Sequence, residues 1–598
     1  MFGHVHLCTL KKTKLRIIDN QMKRILITSA LPYINGIKHL GNLVGSQLPA
    51  DLYARFMRAK GHEVAFICAT DEHGTPAELA AIENKTSTDE YCRKMWQTQK
   101  ELSEKFFLSF DFFGRSSSPS NHELTKSFAL NLDKNGLLKI VEEKQLYSKE
   151  EKRFLPDRYV IGTCPECSYE KARGDQCENC TRQLEASELI NPSSVLSGSK
   201  NLELIKTKHL YLMQSKLKEK LWAWVESNKH WPILTTSIAK KWLMDGDGLQ
   251  DRSITRDLSW GIPVEKDGKP WKEMENKVFY VWFDAPIAYI SSTIDWANDT
   301  KKHSDFWKSW WLNDHGAEDV HYVQFMAKDN IPFHTLSFPA TLLGADQSWK
   351  LVDYIKGFNW LTYDGGKFST SQKRGVFMNQ AIDLFPSDCW RWWLLSNAPE
   401  TSDADFTWRS FQACINKDLA DVLGNFVSRL TKFSLSKFGT TIPVGAQYTE
   451  EEFHTINEIE KVFTMYDDAM SRIEIRKAAS HLRKIWSIGN EYLQRSQPWV
   501  KIKTNEAEAA KVLRFGFNLM LFFSQISEPF IPETSSKIKS CLGKSNDKIQ
   551  WNSFKEDFAS IFKKIEFGDD FEPIDNLFTK ISDGEAQELE KRFAGVND

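Results

Sequence analysis

The N-terminal part of this chain alternates apolar strand-like runs with loops and helices, and that order leaves few folds open. Residues 24–30 (RILITSA) form an apolar run of strand length. It breaks into LPYINGIKHLGN, whose Pro, Asn and Gly residues mark a loop. From about Leu43 to Lys60 the apolar residues recur at helical spacing, and Gly61 stands where a helix stops. Residues 63–69 make a second strand, followed by TDEHG as a loop and another helical stretch. Strand, loop, helix, strand begins a parallel sheet with right-handed crossovers. Further runs, VFYVWFDAP (278–286), HYVQFMAKDN (321–330) and YIKGFNWLT (354–362), predict the other half of that sheet.

Between the halves lies an insertion, 139–250, and from about Asp388 strands disappear in favour of amphipathic helical segments. The expected division is an extension 1–21, a Rossmann-like first half 22–138, the insertion 139–250, a second half 251–387 and an all-α unit 388–598. An apolar fraction of 41% and a charged fraction of 26% fit a soluble globular chain, and most of the 21 Trp are expected in cores. The net charge of -2 means that any nucleic-acid footprint has to be local. No run of eighteen apolar residues occurs, so no membrane span is expected. Residues 1–21 lack the long apolar stretch and small-residue cleavage site of a secretory signal. Met22 is the expected start, because MKRILITSA runs straight into the first strand.

Cysteine spacing is the most specific chemical signal. Cys164-x2-Cys167-x9-Cys177-x2-Cys180 brings two knuckles to one tetrahedral ion, and zinc is the metal such thiolates suit. Four thiolates leave no open position, so the ion is expected to be structural. The remaining Cys8, Cys68, Cys92, Cys389, Cys414 and Cys541 show no pairing framework, which points to a reducing cytoplasm.

Two loops carry nucleotide chemistry. His39-Leu40-Gly41-Asn42 lies between a strand and a helix N-terminus. Gly41 removes a side chain where a nucleotide can approach, the helix end offers N–H groups to phosphate, and His39 and Asn42 can donate as charge shifts. Taken alone, these residues are better accounted for by a helix cap or a core filler. Residues 364–375 (DGGKFSTSQKRG) form a hydroxyl- and lysine-rich loop after the last strand, suited to a departing pyrophosphate; a solvated surface loop is the competing explanation.

Taken together, HLGN after the first strand and KFSTS after the last resemble the paired signatures of class I aminoacyl-tRNA synthetases, and the surrounding residues resemble the methionyl-tRNA synthetase family. The resemblance implies ATP bound, with Mg2+, by His39, Gly41, Asn42, Asp329, Lys367, Ser369 and Thr370, with His39, Asn42, Lys367 and Lys373 assisting catalysis. It implies a methionine pocket of Ala30, Leu31, Tyr33, Asp71, Trp282, Ala285, Pro286, Tyr289, Phe333 and His334, in which Asp71 holds the α-amino group and Tyr33 and His334 can reach the sulfur. Sulfur packs well on aromatic rings, which suits a thioether substrate. Thr370 stands where the family's second loop lysine is usual, and Lys373 is expected to take over part of its contact; Ala327 stands where the family often has Gly.

The family's zinc knuckle corresponds to the four-cysteine motif. Its anticodon-reading elements correspond to Asn425, Arg429, Pro498 and Trp499, in LGNFVSR and QPW. Lys432, Arg472, Arg476, Lys477, Arg483, Lys484 and Arg495 supply local positive charge, about half of it attributable to a solvated helix face. The resemblance thus implies an α/β catalytic unit with a split parallel sheet and zinc-knuckle insertion, then an all-α anticodon-binding domain. It also implies methionine, ATP and tRNA(Met), including the initiator, as partners of a cytoplasmic monomer. Two alternatives differ in kind: an adenylyl transferase acting on a small acid without tRNA, disfavoured by the helical half, and a catalytically impaired tRNA-binding paralogue, supported by Thr370 alone.

Overall fold

The computed structural model describes residues 22–595 apart from 175–176, 178, 181–183, 245–247, 301–302, 304, 370–371, 547–550, 552–553 and 555–556. Thr370 and the extension 1–21 therefore lie outside the described residues. Five strands, β1 (Arg24–Ser29), β2 (Glu63–Thr70), β3 (Phe112–Arg115), β4 (Val320–Ala327) and β5 (Tyr354–Phe358), make one parallel sheet in the order β5-β4-β1-β2-β3. Arg24 is in register with both Val320 and Glu63, so β1 is central and almost wholly buried. Helices cover both faces, which is why its strands read as continuous apolar runs. The strand order reverses between β1 and β4, and ligands of such sheets bind beyond the carboxyl ends of the strands at that point. HLGN, TDEHG and KDN all emerge there.

The first crossover is helical from Leu40 onward and continues as α1 (Leu48–Ala59), closed by Lys60 and by Gly61 at φ +82°. The expected strand at 278–286 is mostly absent. Only Val278–Phe279 is extended, antiparallel to Thr255–Arg256 and outside the main sheet. From Val281 the chain is helical, forming α2 (Val281–Asp299) with Pro286 inside it. A short apolar run does not separate a buried strand from a buried helix, and here burial on nearly every side favoured the helix. Strands also persist past Asp388, since Ala404–Phe406 pairs in parallel with Leu361–Tyr363.

The insertion is built on two long antiparallel strands, Leu138–Ser148 and Leu202–Leu212, with the cysteines beside a smaller sheet formed by Val160–Thr163, Ala172–Arg173 and Ile190–Ser194. Its later helices, Lys218–Ser227 and Ile233–Met244, put Leu221, Val225, Ala239 and Leu243 into the same core as Leu26 and Ile355 of the sheet.

The C-terminal half contains α3 (Asn425–Phe438), α4 (Ile475–Ser496) and α5 (Glu506–Ser527). Its core is continuous with that of α1, and Trp390, Trp392, Trp393, Trp486 and Trp551 are buried in it. Several ion pairs cross this junction, Arg55–Glu528 and Lys60–Asp467 among them, and one of them is fully buried on both sides. Arg391, fully buried, pairs with Asp51 of α1 at 2.7 Å and donates to the carbonyls of Phe106 (3.0 Å), Pro529 (2.8 Å) and Phe530 (3.0 Å). Removing one member of a buried pair leaves the other charge unmatched, so Arg391→Met is predicted to cost roughly 3–5 kcal/mol. An unfolding free energy from urea titration lowered by less than about 1 kcal/mol, at unchanged slope, would show that the network does not hold the halves together.

Candidate functional site

His39 caps the helix that follows it. Its Nδ1 accepts from the Asn42 amide (3.3 Å) while Asn42 Oδ1 accepts from the His39 amide (3.2 Å). An accepting Nδ1 puts the ring proton on Nε2, which is left as the donor. Burial first, then the neighbouring Lys38 charge, push the imidazole down to about 3, so it is neutral at physiological pH. Gly41 has a local reason to be glycine: a Cβ there would lie 3.0 Å from the His39 ring and 3.3 Å from the Leu361 carbonyl. The missing side chain thus makes room for the imidazole.

The lysine-rich loop meets this one directly. Phe368 stacks on His39 with centroids 4.5 Å apart and planes at 7°. Backbone bonds from Leu40 N to the Val376 carbonyl and from Met378 N to the Lys38 carbonyl stitch the two segments together. Ser369 and Arg374 exchange backbone bonds, closing a hairpin that carries Lys373 at φ +51°. Lys367 is exposed, with its ammonium 5.8 Å from the Trp360 ring; Lys328 sits at 4.2 Å from the same ring and pairs with Asp403. Asp329 lies beside them at the end of β4. The Ala327 methyl faces Gly45, where an added Cβ would only touch it at 3.5 Å, so the departure from Gly at 327 is accommodated.

Several of the aromatic and apolar residues singled out for the pocket lie against one another. Trp282 stacks on Phe333 (3.8 Å, 9°), and Tyr33 meets Trp282 edge-on at 6.1 Å. Ala285, Pro286 and Tyr289 are buried on α2, Ala30 is buried at the end of β1, and Leu31 is half-buried beside it. His334 differs from expectation in one respect. Its Nδ1 faces the Asn330 carbonyl at 2.9 Å and its Nε2 faces the Tyr289 hydroxyl at 2.9 Å. A carbonyl can only accept, so Nδ1 carries the proton and Nε2 accepts from Tyr289. With burial pushing it down to about 4, the ring has no donor left for a sulfur.

Asp71 directly follows β2 at 4% exposure, and its Oδ1 has no hydrogen-bond partner. Burial first, then the Asp284 and Glu72 charges, hold its pKa well above the usual carboxylate range. A buried carboxylate in that state suits an incoming cation.

Three π-helical segments, Leu43–Gln47, Phe333–Ser337 and Ile415–Gly424, abut the nucleotide loop, the apolar wall and Asn425 respectively. Such segments recur at functional sites, and nothing in the residue pattern announced them. Sequence reasoning also gave no role to Phe368, Trp360 or the pairs Glu72–Arg115 and His73–Asp284.

The four cysteine sulfurs lie within 4.8 Å of one another, with Cys164–Cys180 at 3.8 Å and Cys167–Cys177 at 3.6 Å. Four sulfurs on one tetrahedral zinc are about 3.8 Å apart, so the donor set fits; a disulfide at about 2.05 Å does not.

In the helical half Arg429 lies over the Trp499 ring at 4.5 Å, one turn after Asn425, and the buried Pro498 starts the short helix that carries Trp499. The expected basic surface is weaker than its residue count. Arg472, Lys477, Arg483, Lys484 and Arg495 pair with Asp468, Glu474, Asp418, Glu491 and Glu451.

Residues 25–431 match the family model for tRNA synthetases class I (M), and residues 442–598 match that for the anticodon binding domain of methionyl tRNA ligase. A methionine–tRNA ligase of Cereibacter sphaeroides is 58% identical over 575 residues, covering 96% of this chain and 100% of that protein. Relatives of the same name from Roseobacter denitrificans and Paracoccus denitrificans are 58% and 57% identical over the same shares. The solved structure of Mycobacterium tuberculosis methionyl-tRNA synthetase in complex with methionyl-adenylate shares the fold, with a TM-score of 0.73 at 22% identity, covering 93% of this chain and 100% of that one. With one model spanning more than half of the chain and full-length relatives at this identity, the chain belongs to the methionyl-tRNA synthetase family of class I aminoacyl-tRNA synthetases.

Proposed function

We propose that ATP and methionine meet beyond the carboxyl ends of β1 and β4, between the His39 loop and the Lys367 loop. The chain is a methionine–tRNA ligase: it forms methionyl-adenylate and pyrophosphate from methionine and ATP, then passes methionine to the 3′ end of its tRNA. In the first step a methionine carboxylate oxygen bonds to the α-phosphorus as the bond to pyrophosphate breaks. No covalent enzyme intermediate is needed, so the residues position reactants and match developing charge.

In this reading His39 donates from Nε2 and Asn42 from its amide to phosphate oxygens, while Gly41 and Asp329 flank the adenosine. Lys367, Ser369 and Lys373 follow the departing pyrophosphate, and Mg2+ accompanies ATP as its counter-ion. Asp71 holds the methionine ammonium. Ala30, Leu31, Tyr33, Trp282, Ala285, Pro286, Tyr289 and His334 surround the side chain, with His334 offering only its ring. Cys164, Cys167, Cys177 and Cys180 hold a structural zinc. Asn425 and Arg429 read base edges of the anticodon beside Pro498, and Trp499 offers a stacking face worth ~1–3 kcal/mol per base. The reading extends to initiator and elongator tRNA(Met), the domain limits given above, and a cytoplasmic monomer.

The observation that carries it is the His39–Phe368 stack, which joins the two nucleotide loops over the sheet's switch point. The impaired-paralogue alternative gains no support from the relatives, which are methionine–tRNA ligases over nearly the whole chain. The test is ATP–pyrophosphate exchange with each amino acid in turn. Methionine alone is expected to support it, and Asp71→Asn is expected to raise the KM for methionine by roughly 10²-fold, the cost of an unmatched buried charge. Exchange that ignores methionine, or an Asp71→Asn enzyme with an unchanged KM, would refute the assignment.

A further inference from the structure

Three carboxylates crowd the crevice beyond β2, and two of them are already matched. Glu72 accepts three bonds from Arg115, two at 2.9 Å and one at 3.1 Å, and Asp284 holds His73 at 2.7 Å. Asp71 Oδ1 has no hydrogen-bond partner; Asp284 also keeps one such oxygen, Oδ1, but its Oδ2 is taken by His73. The positive charge that bears on it is that of Lys38, the residue before His39. Lys38 is half-buried, and its ammonium donates to Asn35 Oδ1 at 3.0 Å.

Both ends of the intervening loop are fixed. Ile34 N donates to the Asp71 carbonyl and Asp71 N to that of Pro32, both at 2.9 Å, so the loop starts against Asp71. It ends where the Lys38 carbonyl accepts from Met378 N, beside the His39 imidazole. Lys38 therefore stands between the group that suits an ammonium and the loop that suits a phosphate. Burial pushes its pKa down to about 7 against the pull of Asp71. Partial burial lowers the cost of desolvating that ammonium when an anion arrives.

We propose that Lys38 binds the α-carboxylate of methionine, so that the amino acid is recognised as a zwitterion, ammonium on Asp71 and carboxylate on Lys38. Before substrate arrives Lys38 is the cation that favours the charged form of Asp71. The incoming ammonium replaces Lys38 as the neighbour of Asp71, and the carboxylate compensates Lys38, so net charge in the buried space is unchanged. The contact places the nucleophilic oxygens one residue from His39, on the phosphate side of the pocket. Because His39 is neutral, it does not oppose the Lys38 charge. Lys38 acts by binding; no bond to it forms. The inference rests on the reading above that Asp71 holds the ammonium.

Methioninol, which has the ammonium and thioether but no carboxylate, separates this role from a structural one. Calorimetric titration of the full chain with methionine and with methioninol gives a ratio of Kd values for each variant. Charge-assisted hydrogen bonds are the stronger ones, so Lys38→Met is expected to raise the methionine-to-methioninol Kd ratio about tenfold, and Lys38→Arg to restore most of it. Lys38→Gln serves if Lys38→Met does not fold. An unchanged ratio overturns the proposal, whether both affinities fall together or neither moves. A wild-type chain that binds neither ligand overturns the reading on which the proposal rests.

Discussion

Lys367→Ala is expected to lower methionine-dependent ATP–pyrophosphate exchange by about 10²- to 10³-fold, with little change in methionine affinity. That is the usual consequence of removing one charge-stabilising group aimed at a transition state. Lys367 is exposed beside Trp360, on a loop fastened at one end by the Phe368–His39 stack, so its ammonium can follow the pyrophosphate as it leaves. Lys373 rises from the turn of the same hairpin in a left-handed conformation, which lysine adopts only where the surrounding structure imposes it. If it supplies the second cation, Lys373→Ala should cost about tenfold in the same assay, with the double variant worse than either. Single-turnover adenylate formation checks this. A Lys373→Ala enzyme as fast as wild type, beside a crippled Lys367→Ala enzyme, would end the idea that Lys373 replaces a second loop lysine.

The second large effect concerns the metal. A closed four-thiolate site contributes on the order of 10 kcal/mol to local folding. Cys164 and Cys177 are themselves core residues here, packed with Leu146, Leu155, Tyr159, Val160, Leu184 and Leu189. The wild-type chain should hold one zinc, and stripping it should abolish hydrogen-exchange protection around residues 160–194 while β1 and α1 stay protected. The damage should still reach methionine. Tyr159 donates to Glu78 at 2.7 Å and Ser259 to the same carboxylate at 2.6 Å, and Glu78 lies on the helix Thr75–Glu83 that follows Asp71. A several-fold rise in methionine KM is therefore expected alongside the lost protection. Zinc-free protein with a protected knuckle would contradict the structural role.

These features differ in how far a linear reading reaches them. The nucleotide loops and the cysteine knuckle were legible because their chemistry sits in contiguous residues with fixed offsets. The aromatic wall was legible only through resemblance, since each ring alone also suits a core. What sequence did not disclose is contact between distant segments: the ring of Phe368 on His39, the Arg115 fork on Glu72, the Tyr289 hydroxyl occupying His334. The run 278–286 went wrong for a related reason, because its apolar side chains satisfy a buried helix as readily as a strand, and only the neighbours decide. On α4, Lys477, Arg483, Lys484 and Arg495 looked like phosphate contacts until their carboxylate partners appeared.

The Arg391 junction bears on how such a molecule can be taken apart and rebuilt. Its acceptors come from α1, from the turn after residue 105 and from the chain that follows α5, so no single cut separates donor from acceptors without stranding a charge. A catalytic fragment ending before Asp388 would keep Asp51 but lose its buried partner, with Arg55 left to cover the deficit from a more exposed position. Grafting another anticodon reader onto this sheet would inherit the same difficulty. Exchange of parts is therefore expected to succeed only when the boundary travels with Arg391, Asp51 and the Pro529–Phe530 carbonyls as a set. In this protein the unit of inheritance is larger than either of its activities.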